Sequence, residues 1–218
     1  MEIKISDKIL KACPDFRFTV IECSVTNTSY DENLWKEIDA FSQQFRRLHN
    51  MEDINKRKTI SATRQAYKKL GKEPNRYRPS AEALCRRIVK NIDLYQIDTL
   101  VDLINLISLK TGYSIGGFDA DKIEGDLTLG VGEAGEKFEA IGRGLLNIEG
   151  LPVYRDAIGG IGTPTSDEER TKITAETSRL LMIINAYSGK EGLPEVVDYS
   201  VELLKKYASA SQIEIIKG

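Results

Sequence analysis

Two short alternations open the chain within residues 1–27, EIKIS and FRFTVIECSV. Their period of two marks strands whose inward positions are Ile3 and Ile5, then Phe18 and Val20 or their neighbours. From Asp31 the period lengthens. Leu34, Ile38, Phe41, Phe45 and Leu48 recur at three- and four-residue steps behind an aspartate suited to an N-cap, which predicts an amphipathic helix ending near Asn50. A second helix opens at Pro79-Ser80 and runs to about Asn91, and a third covers 97–111, with Leu100, Leu103, Leu106 and Ile107 as core and Gly112 in the C′ position. Asp102 and Asn105 interrupt this apolar helix on nearly the same face, either as a hydrogen-bonded buried pair or as part of a site.

Between Gly112 and Gly162 lie 13 of the 17 glycines, interleaved with DLTLGV, KFEAI, LLNIE and LPVYRDA, a meander of short strands and tight turns. RLLMIINAY, closed by Ser188-Gly189, reads as a buried strand in preference to an apolar helix. LPEVVDYSVELLKKYAS is an amphipathic helix from Pro194 with Lys205 and Lys206 in its last turns. The expected class is α+β, a mainly antiparallel sheet packed with amphipathic helices.

Composition adds limits. With 218 residues, 41% hydrophobic and 29% charged, the chain suits one substantial domain. Residues 1–78 are expected to form an N-terminal α/β extension packed on a domain spanning 79–218. No apolar run approaches the roughly 20 residues that cross a bilayer, and the charged start EIKISDK is unlike an apolar leader, so a cytoplasmic protein with no membrane association is expected. Cys13, Cys23 and Cys85 are odd in number and share no metal-binding spacing, which argues for reduced thiols. The single histidine, His49, sits where a helix C-cap is expected, and no ligand set for zinc exists. The pattern calls for no cofactor, no metal and no stable protein partner.

Charge changes the picture more. Residues 56–90 carry twelve basic side chains against Glu73 and Glu82, in a chain whose net charge is -2. Such segregation is either a solvated helix face or a cationic surface that tracks a nucleic-acid backbone, with Tyr67 and Tyr77 available to stack a base. Arg64, Lys68, Arg86 and Arg87 are the candidate phosphate contacts. A second candidate is RGLLNIEGLPVYRDAIGGIGTPTSD, residues 143–167. Positive φ at Gly159, Gly160 and Gly162 would uncover backbone amides beside Thr163, Thr165, Ser166 and Asp167, and Arg143 and Arg155 are suited to a carboxylate or phosphate. The alternative is a decorated turn between strands.

Several motifs in order, RPSAEALCRRIVK, LVDLINLISLKTGYSIGGFDADKIEGDLTL, IGRGLLNIEGLPVYRD and GGIGTPTSDEERTKI, resemble the B3/B4 domain of the phenylalanyl-tRNA synthetase beta subunit, in the version found as a free-standing small protein. The resemblance covers roughly Pro79 to Ala208. It implies a tRNA or aminoacyl-tRNA partner, because in the synthetase this domain holds the 3′ end of a mischarged tRNA and hydrolyses the ester to the wrong amino acid. Asn105 aligns with an asparagine of the editing pocket and Gly159-Gly160 with its glycine pair. Gly116 stands where the synthetase has histidine. Aligning from the glycine pair brings Glu176 to the pocket's acidic position; aligning back from the following helix brings Asn185 there, and the strand-then-helix order favours the second. The resemblance thus implies a pocket of Asn105, Gly116, Gly159, Gly160 and Asn185 below Arg143 and Arg155, with no catalytic residue assigned. It leaves open an ester hydrolase acting in trans, a non-catalytic RNA-binding module, and a pocket for an amino acid or nucleotide. No ATP-binding signature accompanies it and the chain is short for an aminoacylation module, so charging of tRNA is not expected.

Overall fold

The computed structural model describes residues 2–218. Three layers place the site. The middle layer is an antiparallel sheet with strand order β10-β2-β9-β3, made of β2 (Arg17–Ser24), β3 (Ile115–Asp119), β9 (Arg179–Ala186) and β10 (Ser211–Lys217). A second sheet, β1 (Ile3–Ile5), β4 (Leu127–Val131), β7 (Pro152–Arg155) and β8 (Gly160–Gly162), covers one face; its β1–β4 pair is parallel and the rest antiparallel. Helices α5 (Thr99–Thr111) and α6 (Leu193–Ala208) cover the other face. A small hairpin, β5 (Glu139–Ala140) and β6 (Gly144–Leu145), completes the strands, and α1 (Asp7–Ala12) packs beside β4.

The two-residue period explains the layering. On β9, Leu180, Met182 and Ile184 join the helix-side core, while Leu181 and Ile183 join the core between the sheets. On β2, Ile21 and Cys23 face the helices and Phe18 and Val20 the second sheet. A strand buried on both faces reads as a continuous apolar run, which is why RLLMIINA lacks polar alternation. The first 78 residues are woven into this architecture: β1 pairs with β4, and β2 sits between β10 and β9.

Helix boundaries follow the expected signals. Asp31 caps α2 (Glu32–Leu48), accepting from the Leu34 amide at 2.8 Å, and His49 closes it, its ring stacked on Phe45 at 4.1 Å. Asp98 caps α5 by accepting from the Val101 amide at 2.9 Å, and Gly112 ends it at φ 76°. The last carbonyls of α5 are taken by Arg57, whose guanidinium donates to Leu109 O at 2.8 Å and Lys110 O at 2.7 Å. Arg57 and Thr59 thereby dock α3 (Lys58–Lys69) against the C-terminus of α5. Cys13, Cys23 and Cys85 are buried and unpaired. No helix of the described residues is long and apolar enough to cross a membrane.

Candidate functional site

The basic segment does not form one stripe. Arg64 faces inward from α3 and meets Glu82 of α4 (Ser80–Val89), Nη1 donating to Oε2 at 2.8 Å and to Oε1 at 3.1 Å. Glu82 is fully buried, and Arg64 also donates to Asn75 Oδ1 at 2.7 Å. The expectation of Arg64 as a phosphate contact is therefore corrected: its charge is spent on a buried carboxylate that would otherwise be stranded. Lys72 is likewise enclosed, Nζ donating to Asn147 O at 2.8 Å and Glu149 O at 2.6 Å while lying 3.7 Å from the centre of the Tyr77 ring. Tyr67 is fully buried, its hydroxyl 2.8 Å from Thr165 Oγ1. The two tyrosines expected to stack bases are thus a core strut and the seat of a lysine. Lys68 is exposed on α3.

Four cations of the segment converge with Arg143 from outside it. A cleft of roughly 420 Å³ opens between α4, the link from α4 to α5, the middle of α5 and the β5–β6 turn. Arg78, Arg86, Arg87, Lys90 and Arg143 line it, with no acidic side chain among the lining residues. Ser80, Asn105 and Thr165 supply neutral polar groups, and Ala83, Leu84, Ile92 and Tyr95 an apolar part. Arg86 reaches the cleft from one turn beyond Glu82, to whose Oε1 its Nε donates at 2.8 Å. Tyr95 carries the Arg87 guanidinium 4.1 Å from its ring centre. Asn105 is half-buried and makes no side-chain hydrogen bond among the described residues. Asp102 points elsewhere: it accepts from the Trp35 indole at 2.7 Å and the Ile97 amide at 3.1 Å. Burial pushes its carboxyl up to about 6, against these two hydrogen bonds. Asp102 and Asn105 are therefore not a hydrogen-bonded pair.

Apart from Arg143 at its start, the glycine and hydroxyl segment meets the cleft at one residue, Thr165. Ser80 anchors it there, its amide donating to Pro164 O at 2.8 Å. Gly160 and Gly162 belong to β8 and none of Gly159, Gly160 and Gly162 has positive φ, contrary to expectation. Close approach explains two of them: a Cβ on Gly160 would stand 2.9 Å from Phe138, and one on Gly162 2.6 Å from Phe118. The donors are spent internally. The amides of Ile158 and Gly159 go to Asp156 Oδ1 at 2.9 and 3.1 Å, and those of Thr165 and Ser166 to Thr163 Oγ1 at 3.1 and 3.0 Å. Thr163 in turn donates to Ser166 O at 3.0 Å, so its hydroxyl is committed to holding the turn.

Other expected members are elsewhere. Arg155 forms a two-bonded pair with Glu136, 2.7 Å at both Nε and Nη2, in a separate depression beside Lys72 and Tyr77. Asn185 is buried between the sheets, accepting from the Tyr154 hydroxyl at 2.8 Å and donating to Ser114 O at 3.2 Å; Glu176 is exposed and does not line the cleft. The expected pocket uniting Asn105 with Gly159, Gly160, Asn185 and Arg155 is not formed, because strand pairing and ion pairing claim those groups. At Gly116 a Cβ would stand 2.7 Å from the Phe118 ring and 3.6 Å from Asp167 Oδ1. A histidine there would collide with that ring. Burial pushes the Asp167 carboxyl up to about 7, opposed by the Gly117 amide, which donates to it at 3.3 Å. Beyond the aliphatic Ala83, Leu84 and Ile92, the cleft residues that the sequence did not single out are Arg78, Ser80, Lys90 and Tyr95; Arg78 and Lys90 were visible in the charge run, Tyr95 was not.

The family model of the B3/4 domain matches residues 62–208, which include every residue lining the cleft. The chain belongs to the B3/4 domain family. Two curated relatives of this B3/4 protein are the phenylalanine–tRNA ligase beta subunits of Bartonella quintana (strain Toulouse) and Bartonella henselae, each 32% identical over 97 residues. The match covers 40% of this chain and 12% of each relative, so the chain spans only a small part of their length. Among solved structures, an N-terminal fragment of the phenylalanyl-tRNA synthetase beta-subunit from Pyrococcus horikoshii matches 98% of this chain and 49% of its own, at 16% identity and a TM-score of 0.47.

Proposed function

We propose that this B3/4 domain is a cytoplasmic tRNA-binding module that holds a single-stranded end of tRNA in the cleft beside α4, and that holding it, not cleaving an ester, is its function. The observation that carries this reading is the cleft lined by Arg78, Arg86, Arg87, Lys90 and Arg143 with no carboxylate among them. Cations gathered in this way bind a phosphodiester backbone by displacing its condensed counterions. Ser80, Asn105 and Thr165 offer hydroxyl and amide groups to a ribose at the same site. Ester hydrolysis asks in addition for donors aimed at a developing oxyanion, and the amides and hydroxyl of the glycine segment are already hydrogen-bonded within the loop. Titration of labelled uncharged tRNA with the protein tests the reading. Binding that weakens steeply from about 50 to about 200 mM salt supports it, and a salt-insensitive affinity contradicts it.

One observation favours hydrolysis in trans as a second reading. Burial pushes the Asp167 carboxyl up to about 7, the range where a general base works near neutral pH, and Asp167 follows Thr165 of the cleft by two residues, although its carboxyl faces Gly117 and does not line the cleft. Single-turnover hydrolysis of a panel of mischarged aminoacyl-tRNAs with excess protein separates the two. An ester half-life unchanged by the wild-type protein leaves the binding reading alone, and acceleration that is lost in Asp167→Asn replaces it with the hydrolase.

A further inference from the structure

Tyr95 lies outside the basic segment, on the link between α4 and α5, and is 67% exposed at the edge of the cleft. Its ring is not a loose surface aromatic. The Arg87 guanidinium lies over it with Cζ 4.1 Å from the ring centre, and Arg87 Nε donates to the backbone carbonyl of Asp93, two residues before the tyrosine. One hydrogen bond and one cation–π contact therefore fix the guanidinium relative to the ring. The exposure leaves ring surface open, and the aliphatic Ile92 beside it extends an apolar surface at the edge of a cleft that five cations line. Phosphate binding alone gives no use for such a surface. A nucleobase does, since every base has a π-face and stacks on an aromatic ring next to the cations that hold its own phosphate.

We propose that Tyr95 is a stacking platform for an unpaired nucleobase of the bound RNA, with Arg87 as the backing that holds the platform. The proposal rests on the RNA-binding reading of the cleft and adds a recognition element to it: contact with a base face, tolerant of base identity. Because the ring is already held, little side-chain freedom is lost when a base arrives. Stacking is not a charge effect, so its loss lowers affinity without changing the number of phosphates neutralised.

The test uses the full chain and a tRNA transcript, either intact or lacking its unpaired 3′-terminal nucleotides, with Kd measured across a salt series. Tyr95→Ala is expected to weaken binding of intact tRNA by about tenfold or more with the wild-type salt slope, and Tyr95→Phe to stay close to wild type. On the truncated transcript, wild type and Tyr95→Ala are expected to bind alike. An intact-tRNA affinity for Tyr95→Ala equal to that of a wild type that binds in a salt-dependent manner overturns the platform and leaves the cationic cleft standing. A shallower salt slope in Tyr95→Ala also overturns it, since the ring would then act only by positioning Arg87. A wild type that does not bind tRNA overturns the RNA-binding reading and this proposal with it.

Discussion

Removing Glu82 attacks the support under the cleft. Its carboxylate has no exposed surface and accepts from both Arg64, at 2.8 and 3.1 Å, and Arg86, at 2.8 Å. Glu82→Ala leaves two guanidinium groups without their shared counter-charge, one of them, Arg64, in a side chain only 11% exposed. Deleting one partner of a buried pair costs about 3–5 kcal/mol. For a chain of this size each kcal/mol moves the melting temperature by about 2–4 °C, so a fall of about 6–20 °C is expected. Thermal unfolding followed by calorimetry reads it directly. The cause is separable from lost packing: Arg64→Met combined with Glu82→Leu, which removes the charges of the more buried pair and leaves only Arg86, 21% exposed, without its partner, is expected to recover much of the fall, because a well-packed apolar pair replaces a buried ion pair at little cost. A decrease below about 3 °C for Glu82→Ala refutes the assignment of this pair as the anchor of α3 on α4.

Other expectations are independent of it. Asp167 and Asp102 hold their protons in the folded state to about 7 and about 6, while unfolded carboxyls ionise near pH 4. Between these values the folded chain binds more protons, so their contribution to stability is full below about pH 4 and is lost as pH rises through 6 and 7; denaturant unfolding across this range is expected to show the decline, and Asp167→Asn with Asp102→Asn to flatten it. A pH-independent midpoint in the wild type contradicts both assignments. Gly116→His is expected to lower the melting temperature, since a Cβ alone would stand 2.7 Å from Phe118 and overpacking costs about 1–3 kcal/mol; restored ester hydrolysis without destabilisation speaks against this packing. Asn105→Ala, which removes a side chain with no hydrogen bond among the described residues, is expected to leave stability nearly unchanged and weaken tRNA binding, and a large loss of melting temperature would mark Asn105 as structural.

Periodicity carried the architecture because burial acts residue by residue. The period of two in FRFTVIECS, the three- and four-step pattern from Leu34, the capping aspartate at 31 and the C′ glycine at 112 each act through local geometry, and the structure has the matching strand, helix and caps. The site was less legible because the fate of a charge depends on a partner distant in sequence. Nothing in KTISATRQAYKK distinguishes Arg64, turned toward Glu82, from exposed Lys68 on the same helix. Arg155 and Asn185 were plausible ligand groups until Glu136 and Tyr154 claimed them. The glycines misled for a related reason: at 160 and 162 they mark close approach of Phe138 and Phe118, a packing cause that leaves the same letter as a turn. Tyr95 carried no signal, since a lone aromatic in a polar link gains meaning only when Arg87 folds over it.

The central claim, that the cleft beside α4 is where RNA binds, is tested most directly by the slope of log affinity for tRNA against log salt in three proteins: wild type, Arg87→Ala with Arg143→Ala, and Lys68→Ala. Arg87 and Arg143 line the cleft, whereas Lys68 is an exposed cation outside it. The account predicts that the double variant loses about 0.7 of slope for each single-strand phosphate contact removed, about 1.4 in all, while Lys68→Ala keeps the wild-type slope. Equal slopes for wild type and the double variant, or a loss confined to Lys68→Ala, would contradict it.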